Sequence, residues 1–233
     1  MSTQPRGRGM TCRECGATWN AQPAILFGRK VSPPSLCDDC LDADLEAAAK
    51  DKRRQDFVAR IARSGLPAEK QNLKVDGPAA SRAAQWANGD LPVLILTGPV
   101  GVGKTHLAAA ATWQALHTRT VRWVEVARAM TQLRASFGDQ ARARALSPLT
   151  GSDSVVLDDL DKVPATEQGL AAIFGAIDAR VASGAPLLVT MNIGLSELAH
   201  RLDPKGLGAG EAIASRLQVG ALVGLQGSDR RAA

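Results

Sequence analysis

Tyrosine is absent from the 233 residues, and four Phe and four Trp hold the aromatic share to 3%. A surface that stacks successive bases on Tyr and Phe rings is therefore excluded, and the core has to be aliphatic. Cysteine is scarce as well. Cys12, Cys15, Cys37 and Cys40 all fall in the first forty residues, so the rest of the chain has no disulfide framework. The longest apolar stretch, Leu91 to Val102, is broken by Pro and Gly and is too short to cross a bilayer. Met1 to Met10 is polar, with Arg6 and Arg8 and no apolar stretch behind them, so it does not read as a secretory signal. These absences lead to the expectation of a soluble, cytoplasmic protein that makes no membrane contact. Its thiols are then reduced, which favours metal binding over disulfides.

What is present suits a buried core. Hydrophobic residues make up 45% of the chain and charged ones 22%, a balance that excludes wholesale disorder. A net charge of +5 admits a polyanionic partner without establishing one. From Leu41 to about Arg63 the chain is highly charged, with Leu45, Ala48, Ala49, Phe57 and Ile61 at rough helical spacing. Ser64-Gly65-Leu66-Pro67 then breaks this helix. Beyond it, apolar runs at 93–97, 121–126, 155–157, 187–190 and 221–225 read as strands. Helical stretches at 79–87, 104–117, 128–137, 140–146, 170–181 and 211–217 lie between them. This alternation predicts an α/β fold, a mostly parallel sheet flanked by helices on both faces. The expected organisation is a small cysteine-bearing module over 1–42, a helical linker over 43–66 and a larger domain over 67–233.

Gly98-Pro99-Val100-Gly101-Val102-Gly103-Lys104-Thr105 fits the P-loop pattern in full, directly after a strand and at the opening of a helix. Its glycines let backbone N–H groups wrap phosphates, and the helix N-terminus favours an anion there. Lys104 is expected to reach the outer phosphates of ATP and Thr105 to ligate Mg2+. The run Val155-Val156-Leu157-Asp158-Asp159 supplies the second half of such a site, a strand ending in acid. Asp158 would hold Mg2+ through water and Asp159 would orient the attacking water, with Asp161 a competitor for one role. Asn192, at the end of the 187–190 strand, is placed either to touch the terminal phosphate or simply to sit in a loop. On its own, Arg216 reads as a surface arginine with its stem packed along the protein. Trp123 reads as core, and Trp86 either flanks a base or packs.

The two C-x2-C pairs stand 21 residues apart, a slightly long gap for one tetrahedral Zn2+ site. Ala17 to Asn20 and Ile25 to Val31, turning at Gly28, are expected to form the hairpin of a zinc ribbon. Redox chemistry is the competing reading of a C-x2-C pair. Four thiolates on one Zn2+ lower the formal charge from +5 to +3, which weakens the argument from charge for a nucleic-acid partner. Between Arg119 and Leu146, however, six arginines face only Glu125 and Asp139. That stretch is either a phosphate-binding face or a solvated basic one.

Together these segments resemble the AAA+ ATPases, and within them the DnaC/IstB-like branch of helicase loaders and transposition helper ATPases. The likeness runs from about Ser64 to Arg230. It rests on Ser64-Gly65-Leu66-Pro67, on Gly98 to Ala108, on Val155 to Asp159, on Thr190-Met191-Asn192, on Ala214-Ser215-Arg216-Leu217 and on Gly227-Ser228-Asp229-Arg230. The resemblance implies that Asn192 is sensor 1, that Arg216 is an arginine finger serving the ATP of a neighbouring subunit, and that Arg230 or its neighbour Arg231 is sensor 2. His106 falls where the family often has His; it is grouped with the nucleotide-binding residues of the loop, and on its own reads as a packing position. The site would then be completed in a homo-oligomer. The helices after the second strand would line a channel for single-stranded DNA, with Arg134, Arg142 and Arg144 as phosphate contacts. Some helicase loaders of phages and Gram-positive bacteria resemble this layout, with a zinc module that grips a hexameric replicative helicase. That module either docks such a protein or touches DNA through Arg29 and Lys30. The implied function is ATP-dependent loading of a replicative DNA helicase. The alternatives are a transposition helper ATPase and a zinc-ribbon DNA-binding adaptor with an ATP-binding switch. Only 17 residues follow Arg216, which argues against an initiator of the DnaA type with its lid and appended helix-turn-helix.

Overall fold

The computed structural model describes residues 8–21, 24–26, 29–31, 35–164, 166–203, 208–227 and 229. The chain divides into two units, Met1–Asp56 and Phe57–Ala233. In the first, β1 (Arg8–Thr11) pairs antiparallel with β2 (Thr18–Ala21), and β3 (Ala24–Leu26) pairs with β4 (Arg29–Val31). The sequence reading puts 17–20 and 25–31 in one hairpin turning at Gly28; 24–26 does pair with 29–31 on either side of that position, but 18–21 pairs with 8–11 instead. Turn geometry is the cause. The Cys12–Cys15 segment folds back on itself, with Gly16 N–H donating to Cys12 O (3.0 Å) and Cys12 N–H to Ala17 O (2.8 Å). The chain after it therefore returns along β1, and 24–26 is left to pair with 29–31. Helix α1 (Asp38–Ser64) starts in this unit with Asp38 and Asp39 in its first turn, where the helix dipole favours acids.

The second unit is built on a five-stranded parallel sheet. Its elements are α2 (Pro78–Asn88), β5 (Val93–Thr97), α3 (Lys104–Ala115), β6 (Val121–Glu125), α4 (Val126–Arg134), α5 (Asp139–Thr150), β7 (Ser154–Asp158), α6 (Glu167–Ser183), β8 (Leu187–Met191), α7 (Leu195–Leu202), α8 (Ala209–Leu217) and β9 (Ala221–Gly224). The strand order is β6-β7-β8-β5-β9, all parallel. The period of two in the strands explains why the sheet is covered on both faces. Val93, Ile95, Val155, Leu157, Leu187 and Val189 join the core beneath α4, α6, α7 and α8. Leu94, Leu96, Val156 and Leu188 point the other way, into a core with α2 and α3 that contains Trp86 and Trp123.

Helix α7 is absent from the sequence reading. Leu195, Leu198 and Leu202 carry the helical spacing, but eight residues behind Gly194 give the pattern little length. The helix expected at 128–137 ends at Arg134, and Phe137 is exposed in the turn that follows. Among the described residues no helix is long and apolar enough to cross a membrane.

Several arginines serve the fold rather than a partner. Helix ends leave carbonyls without intrahelical donors, and a guanidinium satisfies two or three at once. Arg119 donates to Trp86 O (2.5 Å) and Ala87 O (2.6 Å) at the end of α2 and to Ser154 Oγ (2.6 Å), and lies over the Trp86 ring. Arg60 donates to Leu116 O and His117 O beyond α3, and Arg180 to Leu149 O and Ser152 O around the end of α5. Arg122 donates to Arg63 O in the last turn of α1. Arg119 and Arg122 therefore leave the basic stretch on which the sequence argument for a phosphate-binding face was based.

Candidate functional site

Strand order fixes the site. The carboxyl ends of β5, β8 and β7 lie side by side, so the loops that follow them meet at one edge of the sheet, the usual ligand position in such folds. After β5 comes the glycine loop, in which positions 98 and 101 admit only glycine. A side chain at Gly98 would lie 2.2 Å from Leu225 O, and one at Gly101 1.9 Å from the Asp229 carboxylate, each at positive φ. The segment after β9 thus runs against the loop. Lys104 is 5% exposed, and its ammonium donates to Gly98 O (2.8 Å) and Pro99 O (2.7 Å).

At the end of β7, Asp158 is buried and accepts hydrogen bonds from Thr105 Oγ1 (3.0 Å) and Thr190 Oγ1 (2.7 Å). Burial pushes its carboxyl above the usual carboxylate range, Asp159 adds to that, and the two hydroxyls and Lys70 oppose it. Asp159 sits in a left-handed conformation, φ 58°, with its N–H on Thr190 Oγ1 (2.9 Å) and its carboxylate 2.5 Å from Lys162. That pairing raises the Lys162 pKa. Asp161 is buried and accepts both the backbone N–H (3.1 Å) and the side-chain amide (3.0 Å) of Asn192. Of the two acids competing for one role, Asp159 faces the cavity and Asp161 holds Asn192 in place.

These groups line a cavity of about 600 Å³ that contains Val100, Gly101, Gly103, Lys104, Thr105, His106, Asp158, Asp159 and Asn192. The structure brings these sequence candidates together. It adds Lys70, Glu125 and Lys162, which local pattern does not reveal because their importance depends on strand order. A second cavity, about 780 Å³, adjoins the first through Gly103 and His106 and lies between Lys74–Ala80 and Leu222–Gln226. His106 is exposed at this junction, so it does not pack as the sequence reading expects. Trp86 is fully buried in the core and lines neither cavity, which removes it as a base-flanking residue.

Arg216 lies on α8, pairs with Asp178 (2.5 Å) and does not line its own chain's cavity. Arg134, Arg142 and Arg144 are exposed on α4 and α5. Arg230 and Arg231 lie outside the described residues, as do the side chains of Arg29 and Lys30.

In the first unit the sulfurs of Cys12, Cys15, Cys37 and Cys40 all lie within 4.8 Å of one another, with Cys15 and Cys37 3.6 Å apart. The edge of a zinc–thiolate tetrahedron with bonds of about 2.3 Å is about 3.8 Å, so the set fits Zn2+. The N–H groups of Cys15 and Cys37 lower the Cys12 thiol to about 6, while the neighbouring thiols, Cys15 first, push Cys40 up. One thiolate is favoured and further ones need a cation. All four thiols converge instead of forming one accessible pair, which favours metal over redox chemistry. We expect one Zn2+ per chain by elemental analysis. Chelation should abolish amide exchange protection across β1 and β2 while leaving that of β5 and β8 intact. Retained protection at β1 after complete zinc removal would overturn this.

The model of the IstB-like ATP binding protein family matches residues 31–219. A chromosomal replication initiator protein DnaA from a Caulobacter species is 27% identical over 169 residues, 67% of this chain and 32% of the initiator. An insertion-sequence ATP-binding protein of Pseudomonas fluorescens is 35% identical over 104 residues, 42% of each chain. The chain thus spans about a third to two fifths of the length of these relatives. Among solved structures, DnaI matches with a TM-score of 0.59 at 20% identity, over 72% of this chain and 95% of its own. The DnaC helicase loader matches with a TM-score of 0.51 at 18% identity, over 69% and 100%. At these identities the structural likeness shows the fold alone.

Proposed function

The chain belongs to the IstB-like ATP-binding family, and on that premise we propose that it is an ATP-hydrolysing loader of a replicative DNA helicase, working as a homo-oligomer on single-stranded DNA. The observation that carries the nucleotide part is the cavity where Lys104, Thr105, Asp158, Asp159 and Asn192 converge. Thr105 and Asp158, joined by a hydrogen bond, would hold Mg2+, which neutralises charge on the phosphates. Lys104 exchanges the carbonyls of Gly98 and Pro99 for phosphate oxygens, and the loop amides hold the inner phosphates. Asp159 and Asn192 orient the attacking water, and Asp161 prevents the Asn192 amide from turning away. The base is assigned to the adjoining cavity between Lys74–Ala80 and Leu222–Gln226.

Arg216 does not line this cavity and pairs with Asp178, and it is assigned to the nucleotide of a neighbouring copy on the strength of the sequence motif. Arg230 is proposed as the sensor 2 arginine on the strength of the sequence motif. DNA is assigned to Arg134, Arg142 and Arg144, whose exposed charges would bind the backbone in a salt-dependent, sequence-tolerant way. The cysteine unit is assigned to docking on the helicase. Support for a loader comes from the likeness to the DnaC helicase loader along that protein's whole solved length.

A specific observation favours a second reading, a transposition helper ATPase: the family model and the insertion-sequence relative both point there. One experiment separates the two. The zinc-loaded full chain is immobilised and offered the host's hexameric replicative helicase and, separately, the transposase of an associated element, alongside a Cys37→Ser control. Retention of the helicase that is lost in the control is the expected result. Retention of the transposase alone would replace the loader with the helper.

A further inference from the structure

We propose that Lys70 binds the terminal phosphate of the nucleotide and gives the site its preference for a triphosphate over a diphosphate; this rests on the ATP-binding reading above. Lys70 lies outside the glycine loop and outside both acid-bearing strand ends. It closes the 3-10 turn Ala68–Lys70, which is fixed by Lys70 N–H to Pro67 O (3.0 Å) and Gln71 N–H to Ala68 O (3.2 Å). Leu66, buried in the core below, anchors the turn. From there the side chain passes Trp123, with its ammonium 5.4 Å from the ring centroid, and ends 4.0 Å from Asp158 Oδ2 on the cavity wall.

The two ammonium groups have different partners. Lys104 is held at the loop, against Gly98 O and Pro99 O, and reaches the phosphates from that side. Lys70 stands beside Asp158, on the lining that also carries Asp159 and Asn192, where the outermost phosphate has to lie for a water placed by Asp159 to attack it. Charge points the same way. Lys70, Lys104 and Lys162 balance Glu125, Asp158 and Asp159 around the cavity. A magnesium–nucleoside triphosphate then brings about two net negative charges, and with Lys70 removed the site is already negative before it arrives. A lysine is suited to this position because its ammonium is a point charge on a flexible stem. It can leave Asp158 for a phosphate oxygen without moving the backbone.

The test measures displacement of a fluorescent nucleotide from the full chain by ATP and by ADP, each with Mg2+, for wild type, Lys70→Met and Lys70→Arg. Thermal melts check that each variant is folded. Lys70→Met keeps the stem against Trp123 and should weaken ATP about tenfold or more while weakening ADP less than about threefold. Lys70→Arg should keep most of the preference for ATP. Lys70→Gln carries the same expectation as Lys70→Met if the methionine variant folds poorly. Equal loss for the two nucleotides would show a structural role, and unchanged ATP affinity would show no role; either overturns the proposal. Wild-type protein that binds neither nucleotide would overturn the ATP-binding reading itself, a result distinct from both.

Discussion

Arg216→Ala should lower ATP turnover by about a thousandfold or more while changing nucleotide affinity by no more than about twofold. The split follows from where the residue stands. It does not line its own cavity, so removing it leaves the groups that bind the nucleotide untouched. Charge developing on the transferred phosphoryl would nevertheless lose the cation that a neighbouring copy supplies. Stability should hardly move. The Arg216–Asp178 pair has side chains 47% and 39% exposed, and such surface pairs contribute about 0–1 kcal/mol. Parallel measurement of steady-state turnover, nucleotide affinity and melting temperature checks all three. Equal losses of affinity and turnover would place Arg216 in its own subunit's site, against this account.

Asp158→Asn should abolish most turnover, by a factor of about a hundred or more, and at the same time make the nucleotide-free protein harder to melt. Asp158 is 4% exposed, and burial raises its carboxyl pKa above the usual range. The folded protein therefore holds that proton more tightly than the unfolded chain does. Ionised Asp158 costs stability at neutral pH, and the cost disappears as the pH falls through the folded-state value. An asparagine oxygen still accepts from Thr105 and Thr190, so the charge is removed without orphaning either hydroxyl. Each kcal/mol gained is worth about 2–4 °C in a chain of this size. A variant that melts lower than wild type at neutral pH would contradict the argument from burial.

How much of this was legible in the sequence depends on distance along the chain. The glycine loop lies in eight consecutive residues, and the strands announce themselves as short apolar runs. The α/β class and the loop's place between β5 and α3 could therefore be read directly. The cysteines were legible as a set, since a four-thiol site is written in spacing. The hairpin pairing was not, because it depends on which strand the Cys12–Cys15 turn folds back upon. Strand order was also hidden, and with it the supporting groups that hold the site's residues from across the sheet. Thr190 and Asp161 hold Asp158 and Asn192 from more than two dozen residues away, and Lys70 arrives from before β5. The basic stretch shows the opposite error. Counting charges over 119–146 included Arg119 and Arg122, whose guanidinium groups satisfy carbonyls of α2 and α1. Periodicity reports which face of an element is apolar; it cannot report which carbonyl a distant arginine will find.

The central claim is that the site at Gly98–Thr105 hydrolyses ATP only when another copy of the chain completes it. The most direct test mixes two inactive variants, Lys104→Ala, which cannot bind the phosphates, and Arg216→Ala, which cannot serve a neighbour. Each alone should show almost no turnover. In the mixture an intact phosphate site of one variant meets an intact Arg216 of the other, and turnover should reappear in proportion to the mixed interfaces formed. If the mixture stays as inactive as its components, although both variants bind their partners, then Arg216 does not act across a subunit boundary and the account is contradicted.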